Sequence, residues 1–94
     1  MAYGVVHHFA GGTKEQFDAT AAAARSGDMG GEVFFATGPS AGGWTVVAIY
    51  DSKENWERFR DGVLMPRMAQ GIEGGFTAPP QELAAFEVHL QVPA

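Results

Sequence analysis

Four stretches of the chain either alternate between hydrophobic and polar positions or carry runs of β-branched and aromatic residues. They are residues 2–10, 32–38, 44–50 and 85–92. Alternation is strictest in the last stretch, where apolar residues occupy positions 86, 88, 90 and 92. A period of two places successive side chains on opposite faces of a strand. The pattern therefore predicts four β-strands.

Two other segments have helical spacing. Thr13 followed by Gln16 has the form of a capping box at a helix start. Behind it, positions 17, 20, 21 and 24 carry apolar or small residues that share one helical face. The glycine-rich residues 26–31 are predicted to end this first helix.

The second helix is predicted to begin at Asp51 or Ser52, either of which can cap it. Trp56 and Phe59 lie on its apolar face. Pro66 is expected to end or kink this helix near residues 64–65, with a short further turn over residues 67–70, because proline lacks the backbone N–H. Residues 71–81 contain three glycines and two prolines, which predicts a long loop.

The element order β-α-β-β-α-β predicts an α+β, ferredoxin-like fold. In that fold one four-stranded antiparallel sheet carries both helices on a single face. A length of 94 residues predicts a single domain spanning 1–94. Because so short a chain buries only a modest core, association with a second copy would hide more apolar surface.

Composition narrows the classes of partner and compartment. Eleven acidic against six basic residues give a net charge of −5, which argues against binding nucleic acid or an anionic membrane. There is no cysteine, so disulfides, thiolate zinc sites and thiol catalysis are excluded. The N-terminal residues lack the pattern of a secretory signal, and no apolar run approaches membrane-spanning length. We expect a cytoplasmic protein.

Residues 38–42, GPSAG, match the pattern G-x-S-x-G that holds the nucleophilic serine of many hydrolases. That serine sits between a strand and a helix, whereas Ser40 lies between two predicted strands. The surrounding glycines and proline are typical of a turn. The motif is therefore interpreted as a β-hairpin.

Period-two alternation sorts the strand residues into two faces. The smaller or β-branched set is expected beneath the helices and includes Gly4, Val6, His8, Phe34, Ala36, Val47, Ile49 and Phe86. The other set is expected on the uncovered face and includes Tyr3, His7, Phe9, Phe35, Trp44, Tyr50, Glu87 and His89. An uncovered face rich in aromatic side chains indicates an interface or a ligand site.

At the level of element order, the chain resembles the dimeric α+β barrel superfamily. The resemblance rests on the strand order, the helix start at Asp51 and Ser52 after an aromatic-ended strand, and the Met65-Pro66 break before the loop into the last strand. That group includes stress-responsive A/B barrel proteins, polyketide cyclases of the olivetolic type and cofactor-independent antibiotic-biosynthesis monooxygenases. The resemblance implies a homodimer whose sheets close face to face, with a pocket in each subunit between sheet and helices or within the barrel. Where the cyclases carry histidines, this sequence has Met68 and Trp44.

His7 and His89 are the candidate catalytic residues, since one imidazole near its ordinary pKa can serve as a general base. The candidate substrate-binding residues are Tyr3, Phe9, Phe35, Trp44, Tyr50, Glu87 and Met68. An equally weighted alternative is that the histidines are hydrogen-bonded in a dimer interface. A minor alternative joins His7, His89 and Glu87 as metal ligands. No nucleotide, flavin or zinc motif is present, so no cofactor or metal is expected.

Three functional hypotheses follow. The first is a cofactor-independent enzyme, of monooxygenase or cyclase/isomerase type, acting on an aromatic or polyketide-like molecule. The second is a non-catalytic homodimer that binds a small apolar or aromatic ligand or serves in a stress response. The third is a structural homodimer with a solidly packed interior.

Overall fold

A computed structural model describes residues 1–25 and 30–93 of the chain. Its four strands are β1 (Tyr3–Ala10), β2 (Glu32–Ser40), β3 (Gly43–Tyr50) and β4 (Gln81–Glu87). They form one antiparallel sheet in the order β2-β3-β1-β4, which fits a ferredoxin-like arrangement. The predicted α+β class, four-stranded sheet and element order are confirmed.

The first helix, α1, spans Lys14–Ala24 and begins as the sequence predicts. The Thr13 hydroxyl accepts a hydrogen bond from the Gln16 N–H, and the Gln16 side chain accepts one from the Thr13 N–H. Thr20 and Ala24 are buried on the predicted face. The helix is capped at its end by Arg25, and residues 26–29 of the predicted connection lie outside the described residues.

The second helical region is continuous across Pro66. It consists of α2 (Lys53–Phe59), a π-helical segment (Arg60–Leu64) and α3 (Met65–Gln70). Ser52 is the N-cap, accepting a hydrogen bond from the Asn55 N–H. Pro66 was predicted to end or kink this helix near residues 64–65. The helical region does not end there, but its α-helical geometry is interrupted by the π-helical segment, which ends at Leu64 directly before α3.

Both helices cover the sheet face that was predicted to be bare. On this face, the covered face, Trp56 of α2 packs against His7 and Tyr50, with ring centroids 5.3 and 5.4 Å away. Phe17 of α1 lies 5.6 Å from the ring of Trp44. The prediction of faces is therefore inverted. Large aromatic side chains fill the deep space between helices and sheet, and the smaller set is left on the opposite, bare face.

The last strand lies earlier in the chain than its alternation predicts. β4 pairs with β1 from His8 back to Tyr3, and Tyr3 faces Glu87. Beyond that point Val88 donates a backbone hydrogen bond to Ala2. The alternating residues that follow have no neighbouring strand, because β1 begins at Tyr3. The alternation of apolar and polar residues over 85–92 therefore continues beyond the end of β4 at Glu87.

The hydrophobic core lies between the covered face and the helices. Its buried members are Val5, Ala24, Ala48, Tyr50, Trp56 and Phe59. The described helices are all too short or too polar to cross a lipid bilayer.

Candidate functional site

A small cavity of about 70 Å³ separates the covered face from α1 and α2. Strand, helix and loop residues all line it, and most of them are apolar. The principal ones are His7, Phe9, Phe35, Tyr50, Trp56 and Phe76. The mixture of aromatic walls with a few polar groups is the usual make-up of a small-molecule site.

His7 is the central polar residue of the cavity. It is half-buried and its ring packs against Trp56. Burial lowers the pKa of His7 below its usual value, the Glu82 carboxylate acts in the opposite direction and the Arg60 guanidinium adds to the lowering. Within the described part of the chain the imidazole forms no hydrogen bond. At neutral pH it is therefore an uncharged ring with its polar atoms available to a ligand.

Tyr50 supplies a second polar group to the lining of the cavity. Its side chain is 2% exposed, and burial together with the Glu32 carboxylate raises the pKa of the phenol. No described residue forms a hydrogen bond with this hydroxyl. None of the described buried side-chain polar atoms lacks a partner, so the hydroxyl oxygen itself is accessible, and a water or a ligand can bond to it.

Arg25 forms part of the cavity wall but is already engaged. Its guanidinium donates two hydrogen bonds, of 2.9 and 2.7 Å, to the carboxylate of Glu32. It also lies 4.2 Å above the ring of Phe35. This paired, stacked arrangement indicates a structural role for Arg25.

The loop of residues 71–80 closes one end of the cavity. Phe76 stacks on Phe9, with ring centroids 4.0 Å apart. Its backbone N–H donates to the Thr20 hydroxyl of α1 at 3.2 Å. The loop is thus docked on the body of the protein by an aromatic ring and one hydrogen bond.

A β-bulge in β4 brings a carboxylate to the strand position across from His7. The pairing of β1 with β4 shifts between Val6, which faces Ala84, and His7, which faces Glu82. Leu83 is the additional residue on β4. Glu82 therefore lies directly across from His7.

The structure brings only some of the predicted site residues together. His7, Phe9, Phe35 and Tyr50 meet at the cavity. Three other residues, which the sequence analysis predicted for the same site, do not line the cavity. Tyr3 packs against the core beside it, the Trp44 indole donates to the Thr37 hydroxyl at 2.6 Å, and Met68 lines a separate surface pocket between α1 and the 71–77 segment.

The remaining predicted residues lie away from the cavity. Glu87 faces Tyr3, which lies four residues before His7 in β1. At the usual rise of a strand, this separates Glu87 from His7 by about 13 Å along the sheet. His89 lies beyond Glu87, exposed and past the end of β4. The structure does not bring His7, His89 and Glu87 together as metal ligands. Across residues 1–25 and 30–93, no three histidine or acidic side chains cluster in a way that could hold a metal ion.

Ser40 ends β2, and Gly42 in the turn to β3 has a φ of 80°. The hairpin interpretation of GPSAG is therefore confirmed. On the bare face the Ser40 hydroxyl lies 2.5 Å from the Thr45 hydroxyl and 3.4 Å from His8 Nδ1. These side chains lie next to each other where β2 and β3 pair beside the hairpin turn.

Sequence reasoning did not assign Arg25, Thr20, Glu82 or Phe76 to the site. Phe76 is the one aromatic residue in the long loop, which could have marked it as a closing side chain. Glu82 carried no such signal, because its position depends on the bulge. Comparisons with protein-family models, curated proteins and solved structures find no match for this chain.

Proposed function

We propose that the protein is a homodimer that binds a small apolar or aromatic molecule in the cavity between sheet and helices of each subunit. The observation that carries the proposal is the unpaired His7 imidazole in a cavity whose lining is mostly apolar. The unpaired hydroxyl of Tyr50 provides a second point of attachment. A ligand with one polar atom and an apolar body suits this lining.

The size of the cavity limits what enters without rearrangement. Its 70 Å³ is smaller than the roughly 150 Å³ apolar cavity that accommodates benzene in other proteins. An aromatic ligand therefore requires the Phe76 ring to move from Phe9. The loop that carries Phe76 has no helix or strand of its own, so its displacement breaks few backbone hydrogen bonds.

The proposed partner on the bare face is a second copy of the chain. The strand residues of this face are apolar or uncharged, and Phe34 and Phe86 are 38% and 48% exposed. With a chain charge of −5, a face without charges is where two copies can meet without like-charge repulsion. An exposed apolar patch on a small domain is a typical interface.

The neutral His7 imidazole favours a second candidate, catalysis of proton transfer without a cofactor. A positioned imidazole whose pKa lies near or below the working pH accepts a proton from a bound weak acid. Monooxygenase or cyclase chemistry on an aromatic or polyketide-like substrate remains part of this proposal. Pure ligand binding without turnover is the alternative.

Titration with phenol tests ligand binding. Trp56 lines the cavity and Trp44 does not, so the two indole N–H signals in a ¹H–¹⁵N spectrum form an internal control. We expect saturable shifts of the Trp56 signal only, weakened about tenfold or more in His7→Phe and unchanged in His89→Gln. Absence of saturable binding to the wild-type protein would remove the ligand function.

Sedimentation equilibrium tests the dimer. We expect twice the 10.0 kDa chain mass for the wild-type protein and the chain mass for Val47→Lys, which places a charge on the bare face. Leu90→Lys is the matched control, because Leu90 is 78% exposed outside the sheet. A monomeric wild-type protein contradicts the proposed dimer.

A further inference from the structure

The bulge in β4 changes which residue faces His7. Val5 faces Ala85 and Val6 faces Ala84, so a regular ladder would place Leu83 across from His7. The observed partner is Glu82, one residue further back. In antiparallel sheets a bulge re-aims a side chain, and bulges are frequent beside active sites.

From this geometry we infer that Glu82 is a positioning residue for His7, and that the pair serves proton abstraction from a neutral weak acid bound in the cavity. The inference rests on the proposed function, since it assigns the ligand class of the same site. The carboxylate forms no hydrogen bond with the imidazole; its negative charge, directly across the strand pair, stabilises the imidazolium that forms when His7 takes up a proton.

The proton balance is simple. The ligand's O–H or activated C–H bond breaks, its electron pair stays on the ligand, and a new N–H bond forms on His7. Glu82 remains ionised and takes no proton. A phenol, or a carbonyl compound with an acidic α-hydrogen, has the required chemistry.

The charges facing His7 support a neutral ligand. From β4 the charged neighbour is Glu82, and from the π-helical segment it is Arg60. Across β3 the partner is Val46 and from α2 it is Trp56, neither of which is charged. Arg60 is itself held by Asp61 at 2.8 Å and Glu57 at 3.8 Å. A ligand already carrying a negative charge would meet an excess of carboxylates.

Glu87 does not fill this role, although the sequence places it on the same alternating set as His7. It faces Tyr3 at the far end of β4. Glu82 and Glu87 are both exposed glutamates on one edge strand, so Glu87 is the matched control for Glu82.

The test follows His7 by NMR titration of its ring signals in the full-length protein. We expect Glu82→Gln to lower the pKa of His7 further, Glu82→Asp to preserve most of the wild-type value, and Glu87→Gln to leave it unchanged. Both glutamates are exposed, so these variants should keep the wild-type spectrum outside β1 and β4.

A second readout measures deuterium exchange into the α-positions of acetophenone in D₂O. We expect exchange catalysed by the wild-type protein to fall about tenfold or more in Glu82→Gln, because the imidazolium loses the negative charge that stabilises it, and to be retained in Glu87→Gln. Catalysed exchange that is equal in the wild type and Glu82→Gln, or absent from the wild type, overturns the inference.

The two readouts separate the inference from the proposed function. An unchanged His7 titration in Glu82→Gln overturns the pairing even if phenol binds. A shifted titration without phenol binding by the wild-type protein supports the pairing and removes the ligand function.

Discussion

Phe9 and Phe76 stack nearly parallel, with ring centroids 4.0 Å apart and ring planes 10° from each other. The contact joins the end of β1 to a loop residue far along the chain. It closes one end of the apolar cavity between sheet and helices. The stability of the loop and access to the cavity are therefore coupled through one aromatic pair.

Replacing Phe76 with alanine is expected to destabilise the protein by about 1–3 kcal/mol, less than the 3–5 kcal/mol typical of a fully buried phenylalanine because Phe76 is half-buried. Urea unfolding measures the change. Leu90→Ala serves as the control, because Leu90 is highly exposed and packs on no strand. Equal stability of Phe76→Ala and the wild-type protein would mean that the loop is not docked in solution.

Loss of the Arg25–Glu32 ion pair should lower the free energy of unfolding more than loss of a surface ion pair. Arg25→Gln leaves the Glu32 carboxylate, whose side chain is 9% exposed, without its cation, at a cost of about 2 kcal/mol. Lys14→Gln breaks an exposed pair with Asp18 and should have little measurable effect. Thermal unfolding of the two variants checks the contrast, and similar losses in both would contradict it.

His7 should make stability depend on pH in the mildly acidic range. Burial lowers its pKa in the folded protein, so below about pH 6.5 the unfolded chain binds more protons at this residue than the folded chain does. Stability from neutral His7 is therefore present above that pH and is lost as the pH falls. Unfolding at pH 7.5 and 5.5 should show a larger decline for the wild-type protein than for His7→Gln. Parallel declines would show that His7 titrates alike in both states.

Two glycines are expected to respond in opposite directions to alanine. A Cβ on Gly43 would collide with the backbone carbonyl oxygen of Phe9, and rigid backbone cannot move aside. A Cβ on Gly62 meets open space in the π-helical segment, where alanine has the better helical propensity by about 1 kcal/mol. The melting temperature should fall clearly in Gly43→Ala and stay level or rise in Gly62→Ala. A stable Gly43→Ala protein would contradict the close approach of β1 and β3.

Local signals in the sequence were sufficient to predict most of the helices and strands. The capping pair of Thr13 and Gln16 and the cap at Ser52 act within a few residues, so they could be recognised without the fold. The hairpin at Ser40 was recognisable for the same reason, since turn residues stand between two strands. At the site, alternation correctly placed His7, Phe9, Phe35 and Tyr50 on one face.

Local sequence signals could not decide which face of the sheet the helices cover. Alternation separates two sets of side chains but does not say which set the helices cover. The choice depended on volume, because Trp56 and Phe17 leave space between helix and sheet that large rings fill better than small residues. Whether Pro66 ends the helix could not be decided locally either, since that depends on the π-helical segment before it.

The sequence by itself determined the element types, their order and the identity of the aromatic and histidine residues on one set of strand positions. Only the tertiary structure decided which face the helices cover, where β4 ends and which acidic residue stands beside His7. Alternation and caps are short-range properties of the backbone. Register and bulges are set by pairing with a distant strand. Because β1 begins at Tyr3, His89 has no partner strand, and a one-residue bulge in the pairing of β4 with β1 brings Glu82 opposite His7.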